Sequence, residues 1–357
     1  MVWGMMASMS QLGSASQTRD VRSREEKRRA AKADTRPRRT ISFYRYVHIP
    51  DPAAFRDRLF EQWSQWDCFG RIYLAREGIN AQMNVPEEHW SEFDRWTQAQ
   101  PELAGVPYKV AVEEGGTPSF YKLTIKVRKK IVADGLDDAS FDVTDTGKYL
   151  TAEEMNAYIA DPEAVVVDMR NAYESEVGHF EGAIRPAVET FRDELQVVPE
   201  LLAAHKDKPI ALYCTGGIRC EKASAWLKHK GFTQVRHLKG GIIEYAHQVQ
   251  ETGLPNRFRG KNFVFDERLG ERISDEVVAR CHLCRRTPSD THYHCRNQIC
   301  HTLFISCSDC HAARGGYCTR LCWLVDQLPA ATKQRLARYY NHYIRRRRPF
   351  RKTRLAS

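Results

Sequence analysis

LYCTGGIRCEKAS, residues Leu212–Ser224, decides how the chain is read. The residues leading into it, Ile210–Tyr213 (IALY), are wholly apolar, as in a strand buried on both faces. Glu221–Lys230 follows with helical spacing and is closed by Gly231. Cys214 therefore stands where a buried strand ends and a helix is about to begin. Thr215, Gly216, Gly217 and Ile218 form a short loop that lets successive backbone N–H groups turn toward the sulfur. The helix N-terminus adds partial positive charge, and Arg219 adds a full one. All three favour thiolate over thiol. Cys214 and Arg219 are the catalytic candidates, with Thr215–Ile218 as the cradle. Four residues separate Cys214 from Arg219, one fewer than in a phosphatase loop, so the cradle suits a single sulfur atom better than a phosphate. Cys220 occupies the phosphatase arginine position. It either resolves a persulfide or sulfenate on Cys214 as a disulfide, or packs as a thiol in the first helical turn.

Around this loop the elements alternate. Thr151–Asp161 reads as a helix with a capping box from Thr151 to Glu154. Ala164–Asp168 (AVVVD) is a second buried strand, and Gln234–Leu238 a third, before the turn Gly240-Gly241. Strands alternating with helices imply a parallel α/β domain over residues 145–250. Upstream, the expected strands are Ile41–His48, Gly70–Leu74, Ile79–Val85, Tyr108–Val112 and Leu123–Val127. Helices are expected at Pro52–Trp66 and Glu87–Ala99. That order, β-α-β-β-α-β, predicts a ferredoxin-like α+β domain over 41–135. Its aromatic residues read as core. A Gly/Asp-rich linker spans 131–147, and 254–273 reads as an extended connector.

Eight of the eleven cysteines lie between Cys281 and Cys322. They form four short knuckles, Cys281/Cys284, Cys295/Cys300, Cys307/Cys310 and Cys318/Cys322. Such spacing brings paired thiolates to one tetrahedral metal, so region 258–325 is expected to hold two structural zinc ions. Disulfides and an iron–sulfur cluster are the alternatives. Any of His282, His292, His294, His301 and His311 could replace a thiolate, and the pairing of knuckles is open. A closed four-thiolate site implies a folding role.

The chain has 357 residues and a formal net charge of +10, enough for two or three domains. The charge sits at the ends. Arg19–Arg39 carries ten basic and four acidic residues, and residues 341–357 carry seven basic and none acidic. These ends read as a disordered basic tail over 1–40 and a basic helix (Leu328–Tyr340) with a tail within 326–357. Either is a polyanion-binding arm or a solvated end. No apolar run reaches the ~18 residues of a membrane span. The N-terminus lacks the basic and apolar regions of a signal peptide, and a reduced, cytoplasmic protein is expected.

Residues 164–184, AVVVDMRNAYESEVGHFEGAI, resemble the rhodanese motif at Asp168, Arg170, Glu174, Gly178, His179, Gly182 and Ala183. With Cys214, this implies a rhodanese domain whose cysteine carries a persulfide. Asp168, Arg170 and His179 are expected to shape the fold rather than react. The wider order is LAREGINAQM (Leu74–Met83), SFYKLTIKVRKKIV (Ser119–Val132), CTGGIRCEK, FRGKNFVFDERLGERI (Phe258–Ile273), then paired cysteines. This resembles the tRNA uridine hydroxylase family, with Lys130 departing from the acid expected there. The resemblance implies oxygen-dependent formation of 5-hydroxyuridine at the tRNA wobble position. It implies tRNA as partner and dioxygen as co-substrate. Lys122, Lys126, Arg128, Lys129 and Lys130 then become candidate phosphate contacts, with Tyr121 as a stacking candidate. No flavin or nicotinamide fingerprint is found. Two activation routes stay open, thiolate addition to C6 of uracil and an oxidised or persulfidated Cys214. The alternatives in function are a sulfurtransferase passing persulfide sulfur to a thiol or tRNA acceptor, and a zinc-dependent binding module.

Overall fold

The computed structural model describes residues 23–112, 118–136 and 141–343. The first element corrects an expectation. Residues 23–40 are not a disordered tail. α1 (Arg24–Ala33) opens on a reciprocal capping box between Ser23 and Glu26. Ala31 is buried, and Arg28 pairs with Glu267 of the C-terminal segment. Charge-rich composition hid a helix that is held by long-range contact. Residues 1–22 and the Arg-rich stretch from 344 onward lie outside the described residues.

The N-terminal domain comprises β1 (Arg38–Tyr46), α2 (Pro52–Gln65), β2 (Phe69–Ala75), β3 (Gly78–Pro86), α3 (Trp90–Gln98), β4 (Lys109–Val110) and β5 (Leu123–Val127). The sheet order is β4-β1-β3-β2-β5. The first four strands follow the ferredoxin-like arrangement, and β5 extends the edge parallel to β2. Alternation along the strands separates two faces. Ile41, Phe43, Ile72, Leu74, Ile79, Ala81 and Met83 are buried with Phe55, Leu59 and Trp63 of α2 and Phe93 of α3 in one apolar core. The residues between them form the second face, which meets the next domain.

That domain contains β6 (Lys148–Leu150), α4 (Ala152–Ala160), β7 (Val165–Asp168), α5 (Ala172–Ser175), β8 (Gly178–Phe180), α6 (Phe191–Leu201), β9 (Ile210–Tyr213), α7 (Ile218–His229), β10 (Val235–Leu238) and α8 (Gly241–Thr252). The strands β6-β10-β9-β7 form a parallel sheet. One cluster packs α6 and α7 on one face, and another packs α4 and α8 on the other. The sheet is thus covered on both sides, which explains its apolar strands. Sequence reading had no counterpart for α6 or α8, and the Gly240-Gly241 turn is the start of α8.

The expected connector is also corrected. β11 (Phe258–Asn262) pairs with β8 and with β12 (Glu271–Arg272), so the segment is a structured layer of the fold. Gly178 and Gly260 approach too closely there for a Cβ on either. The cysteine-rich region holds the hairpin β13 (His292–His294) and β14 (Leu303–Ile305), then α9 (Ser308–Ala313) and α10 (Arg320–Asp326). The expected basic helix is α11 (Ala330–Tyr343). No helix among the described residues is long and apolar enough to cross a membrane.

Candidate active site

Cys214 follows β9 directly, and α7 begins at Ile218, three residues earlier than the sequence pattern indicated. Arg219 and Cys220 therefore lie in the first helical turn. Gly217 caps that helix at φ +96°, and its N–H donates to Cys214 Sγ at 3.1 Å. A Cβ at Gly217 would meet the Tyr44 hydroxyl at 2.9 Å, so both conformation and space require glycine. The start of α8 holds the loop from behind. Ile242 N–H donates to the Cys214 carbonyl at 3.0 Å, and Ile243 N–H to that of Thr215 at 3.2 Å.

Burial alone would push the Cys214 thiol up. The Cys220 thiol, the charge of Arg219 and the backbone N–H groups of Cys220 and Arg219 outweigh it and hold the thiol at about 5. Cys220 is the complementary group, kept protonated by burial and by the neighbouring Cys214 thiolate. Arg219 is fixed by Glu174, with contacts of 2.7 and 2.9 Å. Asp168 and Arg170 form a second, fully buried pair at 2.7 and 2.9 Å, and Arg170 also donates to the Gly178 carbonyl. Both motif residues thus brace the strand beneath the loop. His179 Nδ1 lies 3.0 Å from the Ser175 carbonyl, on the neighbouring β8.

Cys214 lies at the floor of a cleft of about 430 Å³, within the range of ligand pockets. Three parts of the chain build it. The rhodanese-like loop supplies Cys214, Thr215, Gly216, Ile218 and Arg219. The second face of the N-terminal sheet supplies Ser42, Tyr44, Arg71, Tyr73, Asn80 and Gln82, with Lys109 from β4. The segment after β11 supplies Phe265 and Arg268. Strand register aligns these residues in two ranks, Tyr44–Asn80–Tyr73 and Ser42–Gln82–Arg71. The domains are tied at the cleft. Glu221 accepts from Tyr44 (3.0 Å) and Tyr149 (2.7 Å), and Lys222 bridges Glu77 and Asp134. Sequence reading missed the N-terminal and C-terminal walls. The available signal was the polar parity of β1, β2 and β3.

Of the five candidate phosphate contacts, Lys126 is in register with Tyr73, and the Arg128 guanidinium lies 5.9 Å from the Tyr73 ring centre. Both are exposed beside the cleft, as are Lys122 and Lys129 on the same segment. Lys130 is instead engaged with Asp134 at 2.9 Å and the Leu136 carbonyl at 2.7 Å. The Arg28 guanidinium lies 5.7 Å from the Tyr121 ring centre.

The knuckles pair alternately. Cys281, Cys284, Cys307 and Cys310 form one group, and Cys295, Cys300, Cys318 and Cys322 the other. Within each, all sulfurs lie within 4.8 Å of one another. Four sulfurs at about 2.3 Å from a zinc ion are roughly 3.8 Å apart, and the second group shows 3.7 and 3.5 Å. Both groups fit a tetrahedral metal with no histidine ligand. His311 stacks on Tyr293 instead, His294 on His301, and His282 contacts Glu176. No disulfide joins any of the eleven cysteines.

Fold and loop together define a rhodanese-like protein carrying an N-terminal α+β domain and two cysteine clusters. Models of known families agree. The UPF0176 acylphosphatase-like domain matches residues 38–131, the rhodanese-like domain 151–248, and the rhodanase C-terminal family 259–323. Proteins named tRNA uridine(34) hydroxylase, from Citrobacter koseri and from Escherichia coli O17:K52:H18, are each 54% identical over 291 residues. That is 81% of this chain and 83% of theirs. The chain belongs to the tRNA uridine(34) hydroxylase family. Among solved structures, the rhodanese-like domain of an Anabaena protein is 21% identical with a TM-score of 0.25, covering 31% of this chain and 78% of that one.

Proposed function

We propose that the chain hydroxylates C5 of the wobble uridine of tRNA, with dioxygen as co-substrate and Cys214 as the reactive group. The observation that carries this reading is the Cys214 thiolate, held at about 5, at the floor of a cleft walled by three parts of the chain. A nucleotide must leave its stack to reach such a floor, and a wobble base in an anticodon loop is already unpaired. The substrate is consistent with a cytoplasmic enzyme.

Hydroxylation by dioxygen places one oxygen on C5 and needs two electrons and two protons to take the other to water. A Cys214–Cys220 dithiol closing to a disulfide supplies that number. The mutual effect of the two buried thiols, which lowers Cys214 and raises Cys220, supports Cys220 as the resolving thiol. Lys122, Lys126, Arg128 and Lys129 are the phosphate contacts in this reading, and the two cysteine clusters hold zinc with a folding role. The loop alone would equally serve a sulfurtransferase, but that reading gives no task to the polar sheet face opposite Cys214.

The test is nucleoside mass spectrometry of tRNA from a strain lacking the gene, complemented with wild type or Cys214→Ser. Wild type is expected to restore 5-hydroxyuridine-type nucleosides and the serine variant not. Restoration by the serine variant, or loss of thiolated nucleosides instead, refutes the reading.

A further inference from the structure

Lys109 is a buried cation, 9% exposed, at the edge of the N-terminal sheet. Its side chain lies over the cysteine loop. Its Cδ is 4.0 Å from where a Cβ of Gly216 would stand, and its Cε 3.5 Å from that of Gly240. Its ammonium sits 4.5 Å from the centre of the Tyr44 ring and lines the cleft with Cys214. It makes no ion pair or hydrogen bond among the described residues. The Cys214 thiolate is the nearest-acting anion, followed by Glu244 and Glu221, and Glu221 Oε1 is already taken by Tyr44 and Tyr149. The stem is buried while the ammonium faces the cleft, balanced by the Cys214 thiolate and the Tyr44 ring, so its N–H donors are available to a ligand bound there.

We propose that Lys109 is the specificity-determining residue of the cleft, donating to O4 of the target uracil and so selecting uridine over cytidine. The inference rests on the tRNA hydroxylation reading above. Its logic is donor counting. An ammonium has only donors. Uracil presents the acceptor O4 where cytosine presents the donor amino group N4. Cytosine would leave both donors facing each other in a buried site, and sites built around one hydrogen bond reject analogues that lack it. Gln82 lies on the same sheet face, one strand beyond Ser42, which is in register with both Lys109 and Gln82. Its amide carries a donor and an acceptor, so it can serve N3 of either base by turning over. Discrimination therefore falls to Lys109. The stack on Tyr44 fixes where the ammonium points.

The experiment compares binding of two RNA hairpins, identical except for uridine or cytidine at the wobble position. The proteins are the full-length wild type, Lys109→Met and Lys109→Arg. Wild type is expected to prefer uridine by about tenfold or more. Lys109→Met should bind both hairpins about equally, and Lys109→Arg should keep the preference because it keeps a donor-only cation. Equal weakening of both hairpins by Lys109→Met, with the ratio preserved, would mean that Lys109 meets phosphate and would overturn the proposal. No preference in wild type would overturn it as well. The ratio is read from binding alone. Failure of the hydroxylation reading would appear separately, as absence of 5-hydroxyuridine after turnover on the uridine hairpin.

Discussion

Arg219 and Glu174 form a buried two-point ion pair, Nη1 to Oε1 at 2.7 Å and Nη2 to Oε2 at 2.9 Å. The pair joins the first turn of α7 to α5, whose residues precede the loop by more than a strand and a helix. The guanidinium is thereby fixed beside Cys214 while much of its charge is answered by Glu174. In the proposed reading it shapes the loop and lends partial charge to the thiolate.

Removing Glu174 should therefore cost stability as well as activity. Glu174→Ala leaves the Arg219 charge buried without its partner, a change of about 3–5 kcal/mol. Urea denaturation measures it. A loss below about 1 kcal/mol would show that the pair contributes little to the fold.

The acidity of Cys214 predicts a pH profile. Its thiolate persists well below neutrality, so the rate of iodoacetamide modification should stay flat from about pH 9 down to pH 6 and fall with a midpoint about 5. Cys220→Ala removes the neighbouring thiol that helps to hold Cys214 down, and the midpoint should rise. Peptide mapping by mass spectrometry isolates the Cys214 signal. A midpoint near the ordinary ~8.5 of cysteine in wild type would contradict the cradle.

Two metal ions per chain are expected, one for each set of four cysteines. Cys300→Ser should release one equivalent and loosen the hairpin β13–β14. A strong chelator should expose four thiols for each ion removed. Elemental analysis with thiol titration checks both, and absence of metal from folded protein would refute the assignment.

Lys126 on the β5 edge and Arg128 just beyond it are exposed beside the cleft residue Tyr73. Replacing both by alanine should weaken tRNA binding and make its salt dependence shallower, by roughly 0.7 to 0.9 in slope per lost phosphate contact. Lys130→Ala should instead lower stability, because Lys130 is paired with the buried Asp134. An unchanged slope in the double variant would move the RNA path to other surfaces.

The sequence by itself determined what depends on neighbours along the chain. The apolar run before Cys214, the two glycines after it and the arginine five residues beyond the cysteine specify a strand, a tight loop and a helix start. These are local rules of burial and backbone freedom. The β-α-β-β-α-β order was legible for the same reason, since alternation and helical spacing act over a few residues. The cysteine knuckles announced clusters able to hold a metal, each thiol pair being set by its own short turn. Which knuckle joins which was not legible, because the alternate pairing depends on how residues 281–322 fold together. The tertiary structure alone decided the cleft. Tyr44 and Lys109 line one cleft with Cys214 only because the polar face of one sheet docks on the loop of another domain, and Arg268 joins them from the segment after β11. Nothing in the local pattern of those residues distinguishes them from solvated ones. Likewise, α1 reads as a charged tail until Arg28 finds Glu267, more than two hundred residues away in sequence. Local propensity fixes elements, whereas a site made by docking depends on contacts that only the folded chain provides.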